Sequence, residues 1–244
     1  MLKAVLFDLD GTLLPMESFD RYIRAYFTRM QEVLAESGYA PDMLYRAMIE
    51  SSRAMINNDG SRTNEEVYWE GMARVFGEQV REDEELFLDF YRKHYEVARR
   101  ECGYDPEAAR VVEYAKSLGL RVILATNPLF PSVATYERMR WAGFAPEDFE
   151  LVTTYENSGA GKPNPYYYRE LLEKLSLAPE ECLMVGNDTI EDLAAEEEGI
   201  PVFFLTYWLI NKPGLDLSDR PHGGYAELRA ELDRRLAAQD CENV

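Results

Sequence analysis

Asp8-Leu9-Asp10-Gly11-Thr12 sets two carboxylates two positions apart, directly after the apolar run Ala4-Val5-Leu6-Phe7. Side chains alternate along an extended backbone, so Asp8 and Asp10 point the same way. Two carboxylates on one side can bind a hard divalent cation, or divide the roles of nucleophile and acid–base group. Gly11 permits a tight turn or a close backbone approach. The same pentapeptide also suits a strand that ends in an Asx-type turn. Three further segments carry comparable chemistry. Thr126-Asn127-Pro128 offers a hydroxyl, a side-chain amide and nearby main-chain N–H groups, all suited to phosphate oxygens. Lys162 lies in Ser158-Gly159-Ala160-Gly161-Lys162-Pro163-Asn164-Pro165 and is one of only six lysines among 26 basic residues. An ammonium held among small residues can neutralise a phosphate or a carboxylate. This loop is not a nucleotide P-loop, because no GxxxxGKS/T precedes a helix. Gly186-Asn187-Asp188-Thr189-Ile190-Glu191-Asp192 spaces Asp188 and Asp192 four apart, on one face if a helix starts at the turn.

Elements of regular structure must bring these segments together. Five short apolar runs, at 3–7, 121–125, 149–153, 182–185 and 202–205, read as buried parallel strands. Helical patterns separate the later four. Asp105-Pro106 opens one over 107–117, with Asp as N-cap, Pro as first helical residue and Gly119 as stop. Others are expected over 132–142, 166–175 and 189–198, with a charged outer helix over 225–238. This alternation implies right-handed crossovers and a doubly wound α/β sheet. All four polar segments then follow strand ends on one sheet edge, where open α/β sheets bind ligands.

Residues 17–103 break the alternation. Phe19, Tyr22, Ile23, Tyr26, Phe27 and Met30 fall at helical spacing, and 43–55, 64–76 and 84–99 also read as helices. The expected division is therefore an α/β core, 1–16 with 104–244, and an all-helical insert, 17–103. Tyr22, Tyr26, Tyr68 and Trp69 read mainly as helix-packing core. Arg21 and Arg24 could reach a distal anionic group, and are equally plausible as helix-surface charges; Arg62, in the polar loop 57–63, could face the site but reads more readily as a solvated loop residue. The stretch 211–224, with Lys212, Arg220 and His222, reads as a Pro/Gly-rich loop near the site entrance.

At 244 residues the chain is long enough for a large hydrophobic core without disulfides. Its net charge of −19 argues against a nucleic-acid polymer as partner, since that affinity rests on a basic surface. Three cysteines, Cys102, Cys182 and Cys241, and two histidines make no zinc-site spacing and read as reduced thiols in a cytoplasmic protein. No apolar run reaches the roughly 20 residues of a membrane span. The expected oligomeric state is monomer or homodimer.

The four segments, in order from Asp8 to Asp192, resemble the motif set of the haloacid dehalogenase superfamily, specifically its phosphohydrolases with a helical C1-type cap. The resemblance implies a Rossmann-like core with 17–103 as the cap. It implies a Mg²⁺-dependent phosphatase for a small phosphorylated metabolite. Asp8 then corresponds to the nucleophile that forms an aspartyl-phosphate, and Asp10 to the general acid and then base. Thr126, Asn127 and Lys162 correspond to the groups that hold the phosphoryl group. The implied metal ligands are the Asp8 carboxylate, the Asp10 main-chain carbonyl and the Asp188 carboxylate, with Asp192 acting through water or Lys162. Asn187 departs from the acidic residue that often follows the glycine, and its amide oxygen is the alternative ligand to Asp188. The carboxylate at position 10 separates the chain from the metal-free dehalogenases. A phosphomutase and a non-catalytic binding protein of the same fold remain the alternatives.

Overall fold

The computed structural model describes residues 1–242. Six strands form one parallel sheet: β1 (Ala4–Phe7), β2 (Arg121–Leu124), β3 (Leu151–Val152), β4 (Cys182–Gly186), β5 (Val202–Leu205) and β6 (His222–Gly223). Their order is β3-β2-β1-β4-β5-β6, so the winding reverses at β1, which pairs with both β2 and β4. Register places Phe7 opposite Leu124 and Val185. Asp8, Ala125 and Gly186 consequently leave the sheet side by side at its carboxyl edge.

Period-two alternation sorts the strand side chains into two cores. Val5, Phe7, Val122, Leu124, Leu183, Val185, Phe203 and Leu205 face one side. There they meet α6 (Pro106–Ser117), α7 (Ser132–Trp141) and α9 (Tyr225–Glu242), through residues such as Val111, Ala134 and Leu228. Ala4, Leu6, Ile123, Cys182, Met184, Val202 and Phe204 face the other side, against α8 (Pro165–Leu175) through Tyr167, Tyr168 and Leu171. The expected N-caps form: Asp105 accepts from Glu107 N and Asn164 from Tyr166 N.

Between β1 and α6 lie α1 (Phe19–Ala35), α2 (Pro41–Ile56), α3 (Asn64–Phe76), α4 (Glu84–Lys93) and the short α5 (Glu96–Arg99). The helix expected over 84–99 is interrupted at His94–Tyr95. Tyr22, Tyr26, Tyr68 and Trp69 are buried, as a packing role requires. The two chains leading in and out run side by side: Met16 and Cys102 form an antiparallel bridge, and Gly103 N donates to Pro15 O at 2.7 Å.

The helix expected over 189–198 does not form; a 3₁₀ helix covers only Leu193–Glu198. Asp188 Oδ1 accepts from the N–H groups of Ile190 and Glu191, and Asp192 Oδ2 accepts from those of Asn187 and Asp188. Side chains that bind nearby main-chain groups compete with a helical turn. Asp188 and Asp192 therefore do not share a helix face. The stretch 211–224 contains β6, whose two residues are too short to leave a periodic signal. Cys102 and Cys182 are free thiols, while the side chain of Cys241 lies outside the described residues.

Candidate active site

Three strand ends, the chain beyond β5 and two of the inserted helices enclose a cavity of about 280 Å³ at the carboxyl edge of the sheet. Asp8 and Asp10 come from the end of β1, Thr126 and Asn127 from β2, and Asn187, Asp188 and Asp192 from β4. All seven line the cavity. Gly11 lies beneath with φ +83°, and a Cβ there would fall 2.2 Å from Asn187 Nδ2. Gly186 is equally constrained, since its Cβ would meet Asp192 Oδ2 at 2.0 Å.

Lys162 links the segments. It is fully buried, and its Nζ lies 3.1 Å from Asp8 Oδ1 and 2.7 Å from Asp192 Oδ1. Burial alone would lower its pKa, but Asp192 and Asp8 more than offset this and hold the ammonium charged. Asp8 Oδ2 accepts from Thr12 Oγ1 at 3.0 Å. Burial pushes the Asp8 carboxyl up to about 7; Lys162 opposes the shift, while the charges of Asp192 and Asp10 add to it.

Asn127 does not extend its side chain into the cavity as a free donor. Its Oδ1 accepts from Lys162 N at 3.1 Å, and its Nδ2 donates to Lys162 O at 3.2 Å and Glu191 Oε2 at 3.0 Å. The amide thereby clamps the backbone that carries Lys162. Among the described residues, the main-chain N–H groups of Asp10 and Asn127 meet no protein acceptor, leaving them for an anion in the cavity. Thr126 is held by its carbonyl, which accepts from Thr153 Oγ1 at 2.6 Å and Tyr167 OH at 3.1 Å.

Asn187 and Asp188 differ in their commitments. Asn187 Nδ2 donates to Trp208 O at 2.8 Å, and its Oδ1 accepts from Thr12 Oγ1 at 3.1 Å. Asp188 reaches the cavity with Oδ1 engaged by main-chain N–H groups. Asp192, by contrast, is buried and turned toward Lys162.

Two side chains at the site escape a reading of the motifs. Arg138, on α7 and 1% exposed, forms an ion pair with Asp10 Oδ2 and lies 4.4 Å above the Phe130 ring. Asp10 Oδ1 is buried without a hydrogen-bond partner. Burial raises the Asp10 pKa, with Arg138 and then Lys162 opposing it. The available signal was an arginine in step with the buried Ala134, Thr135 and Trp141. Glu191 is the second: burial pushes its carboxyl up to about 8, with Lys162 opposing. Nothing in its local sequence marks it.

The remaining wall is apolar, formed by Phe19, Ile56, Leu129, Phe130 and Ile210. The cations weighed from sequence are elsewhere. Arg21 pairs with Glu17 and, at 3.1 Å, with Glu101; Arg62 pairs with Glu70; Arg220 pairs with Glu196.

A family model described as haloacid dehalogenase-like hydrolase matches residues 2–197. The chain is 29% identical over 217 residues to the phosphoserine phosphatase of Thermus thermophilus, covering 79% of this chain and 83% of that one. It is 26% identical over 211 residues to the phosphoglycolate phosphatase of Aquifex aeolicus, covering 85% of each. Its fold is similar to the crystal structure of a HAD phosphatase from Thermococcus onnurineus, with TM-score 0.57, 20% identity, and coverage of 95% of this chain and 98% of the other.

Proposed function

The chain belongs to the haloacid dehalogenase-like hydrolases, and we propose that it is a magnesium-dependent phosphatase that cleaves a small phosphate monoester through an aspartyl-phosphate on Asp8. Its place among phosphoric monoester hydrolases is supported by the phosphatases it resembles. The observation that carries the mechanism is the contact of buried Lys162 with both Asp8 and Asp192, beside a cavity that Asp10 also lines.

The chemistry follows from these positions. An Asp8 oxygen attacks phosphorus, and the ester P–O bond breaks as Asp10 passes a proton to the leaving oxygen. Arg138 occupies Asp10 Oδ2, so Oδ1 is the atom left to carry that proton. A water then attacks the aspartyl-phosphate, Asp10 takes its proton, and inorganic phosphate leaves with Asp8 restored. Lys162 and the N–H groups of Asp10 and Asn127 neutralise the transferring group.

The residues fit a divalent cation. Asp8 and Asp192 contact Lys162, Asp10 pairs with Arg138, and Asp188 and Glu191 line the same cavity; such hard oxygen donors suit Mg²⁺. Among the described residues no three His, Cys, Asp or Glu side chains converge on one point. The donor set proposed here needs only the Asp8 and Asp188 carboxylates and the Asp10 main-chain carbonyl. Bound there, Mg²⁺ supplies charge that offsets repulsion between the attacking carboxylate and the phosphate dianion.

Residues 17–103 act as a cap in this reading, supported by Phe19 and Ile56 in the cavity wall. A cytoplasmic location is supported by the free thiols, and no helix is long and apolar enough to cross a membrane among the described residues. The test is phosphate release from small esters, with and without Mg²⁺, by the wild type and Asp8→Asn. Metal-dependent release is expected, reduced at least about 10³-fold in the folded variant. Undiminished release by that variant would overturn the mechanism.

A further inference from the structure

The cavity lining is of two chemical kinds. Asp8, Asp10, Asp188 and Glu191 bring carboxylates to it, and Phe19, Ile56, Leu129, Phe130 and Ile210 bring apolar surface. No Lys, Arg or His lines it among the described residues. Lys162 serves Asp8, Asp192 and the transferring group, and Arg138 pairs with Asp10, which leaves neither for a second anion. Arg21 and Arg24 occupy a separate surface groove, and Arg62 is paired with Glu70.

We propose that the substrate is a phosphate monoester whose leaving group is uncharged and apolar over several carbons, and that esters bearing a second phosphate or a carboxylate are rejected. This rests on the phosphatase reading of the site. A second anion would lose its water beside carboxylates and an apolar wall, with no cation to receive it. Phe19 is 42% exposed, an aromatic ring at the cavity that a bound apolar group would cover. The wall is fixed in place: Ile56 O accepts from Asn164 Nδ2 at 3.0 Å, tying the end of α2 to the Lys162 loop. Leu129 backs onto an aromatic-lined void of about 20 Å³, room for about one water. The cavity as a whole, about 280 Å³, is at the small end of ligand pockets.

The experiment measures kcat/KM with Mg²⁺ for ethyl, propyl and butyl phosphate against phosphoglycolate and phosphoserine. The expected result is a rise of roughly threefold to fourfold per methylene, with phosphoglycolate at least about 100-fold below butyl phosphate. Phosphoglycolate or phosphoserine equal to or better than butyl phosphate would overturn the proposal. Phe19→Arg, at a part-exposed site that tolerates the change, should narrow the butyl-to-glycolate ratio at least about tenfold; an unchanged ratio would remove Phe19 from the wall. Calorimetric binding of butylphosphonate and phosphonoacetate to the Mg²⁺-loaded wild type separates two failures. If no ester is turned over, the phosphatase reading falls. Tighter binding of butylphosphonate then sustains the pocket inference, and tighter phosphonoacetate, or binding of neither, ends it.

Discussion

Arg138 grips one oxygen of Asp10 from inside the protein and leaves the other without a partner. The arginine is itself 1% exposed and stacked on Phe130, so the contact is a buried ion pair beneath the cavity. Replacing it by alanine strands a buried carboxylate, and a loss of about 3–5 kcal/mol in stability is expected. Arg138→Lys keeps the charge but not the planar fork. Its expected signature is selective: kcat falls more for alkyl esters, whose leaving oxygen needs a proton, than for nitrophenyl phosphate, whose leaving oxygen does not. Equal losses for both esters would reduce Arg138 to a structural role.

The two candidates for the third metal ligand are separable. Asn187 already serves Thr12 and Trp208, whereas Asp188 presents a carboxylate to the cavity. Asp188→Asn should raise the Mg²⁺ concentration for half-maximal activity by about 10–100-fold. Asn187→Ala should shift it less while lowering thermal stability. Chelator titration followed by Mg²⁺ add-back measures both, and the reverse order would make Asn187 the ligand.

Asn64 fastens the helical segment to the core. It is fully buried, its Nδ2 donates to Pro128 O at 3.1 Å and Ala160 O at 3.0 Å, and its Oδ1 accepts from Asn58 Nδ2 at 3.0 Å. Asn64→Ala orphans two carbonyls and leaves the Asn58 amide with only its bond to Arg62 O, and a loss of about 2–4 kcal/mol is expected. Hydrogen exchange should speed first at Gly60 and Asn64, whose N–H groups donate to Gly159 and Ser158. Uniform acceleration across the chain would contradict a local fastening.

Glu65, in the first turn of α3, has its carboxyl pushed up to about 7 by burial, then by the negative charges of Glu84 and Glu156. Its ordinary value is 4.5. Between these values the folded chain binds the proton more tightly than the unfolded chain. Its contribution to stability is therefore complete below about pH 4.5 and lost as pH rises through about 7. Glu65→Gln should raise Tm near pH 8 and leave it unchanged near pH 4. Thermal melts across that range check the sign, and a pH-independent difference would refute it.

Local chemistry made much of this protein legible in its sequence. The short continuous apolar runs, the Asp-Pro and Asn-Pro helix openings and the glycine stops pointed to a parallel sheet, because local hydrophobicity and helix capping depend on near neighbours. The polar segments at 8–12, 126–127, 158–165 and 186–192 followed strand ends for the same reason. Where side chains compete locally the reading failed, as at 189–198, where Asp188 and Asp192 take main-chain N–H groups that a helix would use. Partners distant in the chain were decided by the tertiary structure alone. Arg138 meets Asp10 across 128 positions, and the side-chain amide of Asn127 is engaged by Lys162 and Glu191. The apolar wall and the absence of a lining cation among the described residues arise the same way. Phe19, Ile56, Leu129 and Ile210 look like ordinary core residues in sequence, and only the packing of helices against strand ends turns them toward one cavity.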